Sequence, residues 1–161
     1  MALTAGDTLP DATLLRMGED GPEEVRLSER LAGRRVVLFG LPGAYTGVCT
    51  TAHVPSFIRT REAFAGKGVD EIICVAVNDP FVMKQWGLDT GATEAGLTLL
   101  ADPAAEFTRA AGMEFTAPPV GFYNRSRRYA LVARDGVIEV IQEDQPGTCD
   151  RSGGEALLEA I

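Results

Sequence analysis

The chain has little of what would mark it for several functions. Of 161 residues only one is histidine and only one tryptophan, and cysteine occurs three times. One histidine leaves no set of His ligands for a catalytic zinc, and Cys49, Cys74, Cys149 and His53 lack the paired spacing of a structural one, so no metal is expected. An odd cysteine count with no disulfide framework suits a reducing compartment. The start, MALTAGDTLPDA, has no basic segment followed by an apolar run, so no secretory signal is read there. No apolar stretch approaches membrane-spanning length. Positive charge is also short: 15 Lys and Arg against 23 Asp and Glu give a net charge of −8, which disfavours a nucleic-acid partner. These absences leave a cytoplasmic globular protein, and 45% hydrophobic residues with a mean hydropathy of +0.03 agree with that class. At this length residues 1–161 read as a single domain.

What is present is an alternation of apolar runs and helical patterns. RRVVLFGL (34–41), EIICVAV (71–77) and LTLLAD (97–102) are short continuous apolar runs, as expected of strands buried on both faces. Val54, Phe57, Ile58, Arg61, Phe64 and Ala65 recur at helical spacing, closed by GKG at 66–68. Pro55 lies inside that segment, so the helix either starts near Val48 and kinks or becomes regular near Pro55. Asp79-Pro80 and Asp102-Pro103 each read as an N-cap carboxylate followed by Pro at the first helical position. RRYALVARDGVIEVIQED reads as a hairpin about Asp135-Gly136, and SGGE (152–155) as a capping box before a final helix. This order predicts an α/β fold, a mixed central sheet with helices on both faces, similar to a thioredoxin-like arrangement.

The chemistry centres on LPGAYTGVCT (41–50), where Cys49 follows a strand and a Pro/Gly loop at the start of a helix. Unpaired N–H groups and the positive end of the helix dipole favour thiolate there, although an ordinary cysteine more often only packs. Ala52 stands where a Cys-x-x-Cys exchanger needs its second thiol. A cysteine hydrolase needs a histidine base; His53, four residues on, shares a helical face with Cys49 but also suits a packed position.

Pro42, Thr46 and Cys49 form a Pro-x-x-x-Thr-x-x-Cys pattern that resembles the active-site signature of peroxiredoxins. PGAYTGVCTTAHVPSF, GVDEIICVAVNDPFVMKQWG, LTLLADP, NRSRRYALVARDGVIEV and the final PGTC are similar to the peroxiredoxin-5 or plant type II subfamily, over about residues 3 to 161. Tyr45 stands where many members have Phe, and Gly47 where many have Pro. The resemblance implies a thiol peroxidase that reduces hydrogen peroxide and alkyl hydroperoxides through a sulfenic acid at Cys49, with no cofactor. It implies that Thr46 holds the peroxide by its hydroxyl, that the N–H groups of Val48 and Cys49 add donors, that Pro42 shields the sulfur, and that Arg128 lowers the thiol pKa and grips the peroxide. Strand periodicity alone does not choose among Arg125, Arg127 and Arg128.

Cys149 resembles the resolving cysteine of animal-type members, and a mobile loop would suit that task. Cys74 matches a second cysteine of the plant type and otherwise reads as core. Resolution by Cys149 would suit thioredoxin as reductant; without it glutathione or glutaredoxin attacks Cys49, the route favoured by the plant-like segments. The resemblance also implies a homodimer joined near the active-site ends. Phe81 and Trp86 are candidates for that contact, with core the expectation for both. The alternative function is a peroxide-sensing or chaperone-like redox protein that oxidises without turnover.

Overall fold

The computed structural model describes residues 3–145 and 147–161, Cys49 by its backbone alone. A seven-stranded sheet runs in the order β2 (Gly21–Arg26), β1 (Thr13–Gly18), β5 (Thr98–Ala101), β4 (Glu71–Ala76), β3 (Arg35–Gly40), β8 (Tyr129–Arg134) and β9 (Val137–Glu143). Its centre is parallel: β3 (Arg35–Gly40) pairs with β4 (Glu71–Ala76), and β4 with β5 (Thr98–Ala101). These are the three apolar runs of the sequence. β8 (Tyr129–Arg134) and β9 (Val137–Glu143) extend the sheet antiparallel from β3. Asp135 and Gly136 both take positive φ, 51° and 77°, the backbone of the two-residue turn that Asp-Gly favours.

Side chains of each strand alternate between two cores. On one face Val37, Phe39, Cys74, Ala76 and Val132 meet α2 (Val54–Gly66), α3 (Pro80–Thr90) and α5 (Gly154–Glu159) through Phe57, Phe64, Trp86 and Leu157. On the other, Val36, Leu38, Ile73, Val75 and Leu131 meet α1 (Leu27–Leu31) and α4 (Glu106–Ala110). The strands are thus buried on both sides, which is why they read as continuous runs.

Several local expectations change. The hairpin β1 (Thr13–Gly18) and β2 (Gly21–Arg26) lies at the sheet edge, and its outer strand, with Pro22, Glu23 and Glu24, carries no apolar alternation. A separate two-stranded ribbon, β6 (Glu114–Ala117) and β7 (Phe122–Ser126), stands apart from the main sheet. Asp79 caps α3 as expected, accepting the Val82 N–H at 2.8 Å with Pro80 at the first position. Asp102 does not open a helix at Pro103. α4 begins at Glu106 after Ala105 in a left-handed conformation, and the buried Asp102 carboxylate accepts the N–H groups of Phe107 and Thr108 from a distance. The capping box at Ser152–Glu155 is not formed: the Ser152 hydroxyl donates to Asp144, and Glu155 pairs with Arg59. Trp86 is core, but Phe81 is 62% exposed, contrary to expectation. Among the described residues no helix is long and apolar enough to cross a membrane.

Candidate active site

The loop from Leu41 to Thr46 leaves the carboxyl end of β3 at the middle of the sheet, where crossovers leave a crevice in open α/β folds. A turn of helix at Gly47 and Val48 passes into a π-helical turn, Cys49–His53, and the regular α-helix begins at Val54. Of the two readings of Pro55, the second holds. Proline has no N–H for the preceding turn, and a wider turn at this point spares the ladder that bond. Thr50 N–H still reaches the Thr46 carbonyl at 3.1 Å. Trp86 Nε1–H donates to Thr50 Oγ1 at 3.0 Å, which ties the turn to α3.

Cys49 therefore sits where the sequence places it, in the first turns after the loop. Its side chain, and so the sulfur assigned as nucleophile, lies outside the described residues. The surroundings can be built from its neighbours. Thr46 is half-buried, and its hydroxyl donates to the Gly43 carbonyl at 2.7 Å. With that proton directed at the loop backbone, the Thr46 oxygen keeps its lone pairs as acceptors. Pro42 is buried, and with Arg128 it lines a cavity of about 20 Å³ that Phe115 and Asp144 also border. Thr46 does not border that cavity.

The structure separates the three arginines. Arg127 is exposed and pairs with Glu143. Arg125 is half-buried and donates to the Pro42 carbonyl. Arg128 is 4% exposed. Residues 127 and 128 fall between β7 and β8, where the chain passes from ribbon to main sheet, so strand alternation does not govern them.

His53, four residues beyond Cys49, holds Arg128. The ring is fully buried between Phe39 and Phe57, with ring centroids 4.9 and 5.6 Å away. Burial and the adjacent Arg128 guanidinium push its pKa down to about 3. A neutral ring has one donor and one acceptor. Nε2 lies 3.0 Å from the Ser152 carbonyl, which can only accept, so Nε2 carries the proton. Nδ1 then accepts from Arg128 Nη1, also at 3.0 Å. A histidine so weakly basic, with its free lone pair already used, is no general base for a hydrolase. Packing was legible in the sequence; the contact with an arginine 75 residues away was not.

Cys149 is half-buried beside a cleft of about 390 Å³ bordered by Thr51, Ala52, Ser56 and Arg59, against the peroxidatic-candidate turn. Its segment is anchored. Asp144 accepts the N–H groups of Asp150, Arg151 and Ser152 at 2.8–2.9 Å and the Ser152 hydroxyl at 2.5 Å. Burial alone would raise the Asp144 pKa, but those donors outweigh it and hold the carboxyl below its usual range. The Asp144 N–H in turn donates to the Arg128 carbonyl. Cys74 is fully buried in β4, as its packing reading expects. Among the described residues no three His, Cys, Asp or Glu side chains gather as metal ligands.

A family model described as Redoxin matches residues 4–158. The chain is similar to the chloroplastic peroxiredoxin-2E-2 of Oryza sativa subsp. japonica, 44% identical over 163 residues, covering 99% of this chain and 72% of that one. Among solved structures, reduced Prx3 of Vibrio vulnificus in complex with hydrogen peroxide superposes with a TM-score of 0.92 at 39% identity, over 98% of both chains. Peroxiredoxin 5 of Alvinella pompejana gives 0.85 at 31% identity, over 98% of this chain and 97% of that one.

Proposed function

The chain belongs to the redoxin family as a peroxiredoxin, a thiol peroxidase and antioxidant protein, and from that premise we propose that Cys49 is the nucleophile and Arg128 its electrostatic partner. The observation that carries this reading is the buried Arg128 guanidinium, held by His53 in the same turn that contains Cys49. A fixed cation lowers a thiol pKa, and a neutral histidine can orient it without competing charge.

The thiolate of Cys49 attacks one oxygen of hydrogen peroxide or an alkyl hydroperoxide. An S–O bond forms, the O–O bond breaks, and the departing oxygen takes a proton and leaves as water or alcohol; Cys49 becomes a sulfenic acid. Negative charge grows on the departing oxygen, where Arg128 and the N–H groups of Val48 and Cys49 would stabilise it. Thr46 accepts the O–H of the bound peroxide, and Pro42 walls the sulfur from water. Resetting by glutaredoxin or glutathione is the favoured route, with Cys149 and thioredoxin the other, in the reducing setting of the cytoplasm. The anchoring of residues 150–152 by Asp144 restrains the segment that follows Cys149, which supports the external route.

A homodimer would bury the apolar surface formed by Phe81 and Leu88, seven residues apart on α3, with Tyr45, whose hydroxyl donates to Asp89. Phe81→Asp is expected to sediment as a monomer; a wild-type sedimentation coefficient opposes this interface.

The test of the function is a mass measurement after one equivalent of peroxide without reductant, followed by NADPH consumption with glutaredoxin or thioredoxin systems. A sulfenic acid on Cys49 and turnover with glutaredoxin are expected. A Cys49–Cys149 crosslink with turnover on thioredoxin alone contradicts the favoured route. Consumption that stops at one equivalent with every reductant contradicts catalysis and supports a sensor.

A further inference from the structure

Arg125, on the β6–β7 ribbon, reaches the active-site loop itself. Its Nη1–H donates to the Pro42 carbonyl at 2.9 Å, 83 residues back along the chain. The guanidinium lies over the Phe122 ring, 5.3 Å from its centroid, and Phe122 meets Phe115 edge-on at 6.1 Å. The head group thus lies over one ring of an aromatic pair on the β6–β7 ribbon and donates to one peptide oxygen. No part of that ribbon belongs to the main sheet.

The loop is arranged to receive it. A side chain at Gly43 would collide with the Arg125 guanidinium and crowd Asn78 Oδ1, so the backbone can approach only because residue 43 has none. Asn78 Oδ1 accepts the Ala44 N–H at 2.9 Å. The Gly43 carbonyl accepts both the N–H of Thr46, at 3.4 Å, and its hydroxyl, at 2.7 Å. Arg125 fixes the peptide before Gly43 and Asn78 the one after it. Between them they set where the Gly43 carbonyl points, and that carbonyl sets the Thr46 hydroxyl.

We propose that Arg125 is a positioning residue for the peroxidase reaction: it clamps the Pro42 carbonyl so that Gly43 holds Thr46 in the orientation that receives the peroxide. The proposal rests on the reading of Cys49 and Thr46 given above. Arg125 acts on where the peroxide sits, and Arg128 acts on the thiol. Misplacing a reacting group by about 1 Å can cost up to a hundredfold in rate. A planar, five-donor head group stacked on an aromatic is not replaced by an ammonium.

The test uses the full-length reduced protein and Arg125→Lys, which keeps the charge and removes the planar clamp. Three quantities are read: the second-order rate constant of Cys49 with hydrogen peroxide, its rate constant with iodoacetamide, and the pH dependence of the latter. The expected result is a fall of about tenfold or more with peroxide, with alkylation rate and thiol pKa unchanged. Alkylation needs the thiolate but no peroxide site, so a general loosening of the fold would change both reactions. An unchanged peroxide rate, or equal falls in both rates, overturns the proposal. Cys49→Ser is measured beside it: if that variant still reacts with peroxide as the wild type does, the reading of Cys49 has failed instead.

Discussion

Replacing His53 by Phe tests the buried contact that holds Arg128, and the two hydrogen bonds and the burial of the ring set the direction of the effect and its pH course. Phenylalanine fills a similar volume beside Phe39 and Phe57 but can neither accept from Arg128 nor donate to Ser152. One lost bond involves a charged donor and the other leaves a buried carbonyl without its partner, so the cost at neutral pH is about 2–4 kcal/mol. The pH course runs the other way. His53 has a folded-state pKa of about 3 against 6.5 unfolded. Below 6.5 the unfolded chain binds a proton that the folded chain refuses. The wild type therefore loses about 1.4 kcal/mol per pH unit from this group as pH falls, about 5 kcal/mol in all by pH 3. The variant has no such loss. Buried carboxylates such as Asp144 and Glu71 titrate in both proteins and cancel in the difference. Urea denaturation at intervals from pH 7 to pH 4.5 should show two lines that converge as pH falls, with the crossing between about pH 5 and pH 3.5. Lines that stay parallel would refute a buried neutral histidine. Lines that coincide at neutral pH would refute the cost assigned to its two hydrogen bonds.

Two further outcomes are expected. Asp144→Asn removes the anion that gathers three N–H groups and a hydroxyl around residues 150–152; it should destabilise the protein by about 1–3 kcal/mol and speed alkylation of Cys149, read by peptide mapping. The Asp144 pKa is lowered in the folded state, so this contribution is present above the unfolded value and disappears as pH falls below it, and the two proteins should converge in acid. Gly40→Ala would drive a methyl group into the ring of the buried Tyr129 on the adjacent strand β8, and a loss of about 1–3 kcal/mol should appear as a lower Tm in calorimetry.

The parts of the fold legible in the sequence are those where local pattern and burial agree. β3, β4 and β5 are buried on both faces and read as apolar runs, and the β8–β9 turn is set by Asp-Gly backbone chemistry. The β1–β2 hairpin is an edge whose outer strand faces water, so its residues answer to solvent and not to a core. The Asp102-Pro103 and Ser152–Glu155 signals misled for one reason: each polar side chain has a stronger claim elsewhere, Asp102 two N–H groups further along and Ser152 the buried Asp144 carboxylate. At the site, Pro42 and Thr46 belong to a contiguous stretch, and a family pattern picks out Arg128. The residues that support them, His53, Asn78 and Arg125, act across 34 to 83 residues of chain, and nothing local announces such contacts.

The proposed chemistry requires that Cys49, and neither of the other thiols, reacts rapidly with peroxide. Stopped-flow oxidation of Cys49→Ser, Cys74→Ser and Cys149→Ser by hydrogen peroxide, each fully reduced and without reductant, tests it most directly. The fast reaction is expected to disappear in Cys49→Ser and to persist at the wild-type rate constant in the other two. A fast reaction that survives in Cys49→Ser, or vanishes in either of the others, contradicts it.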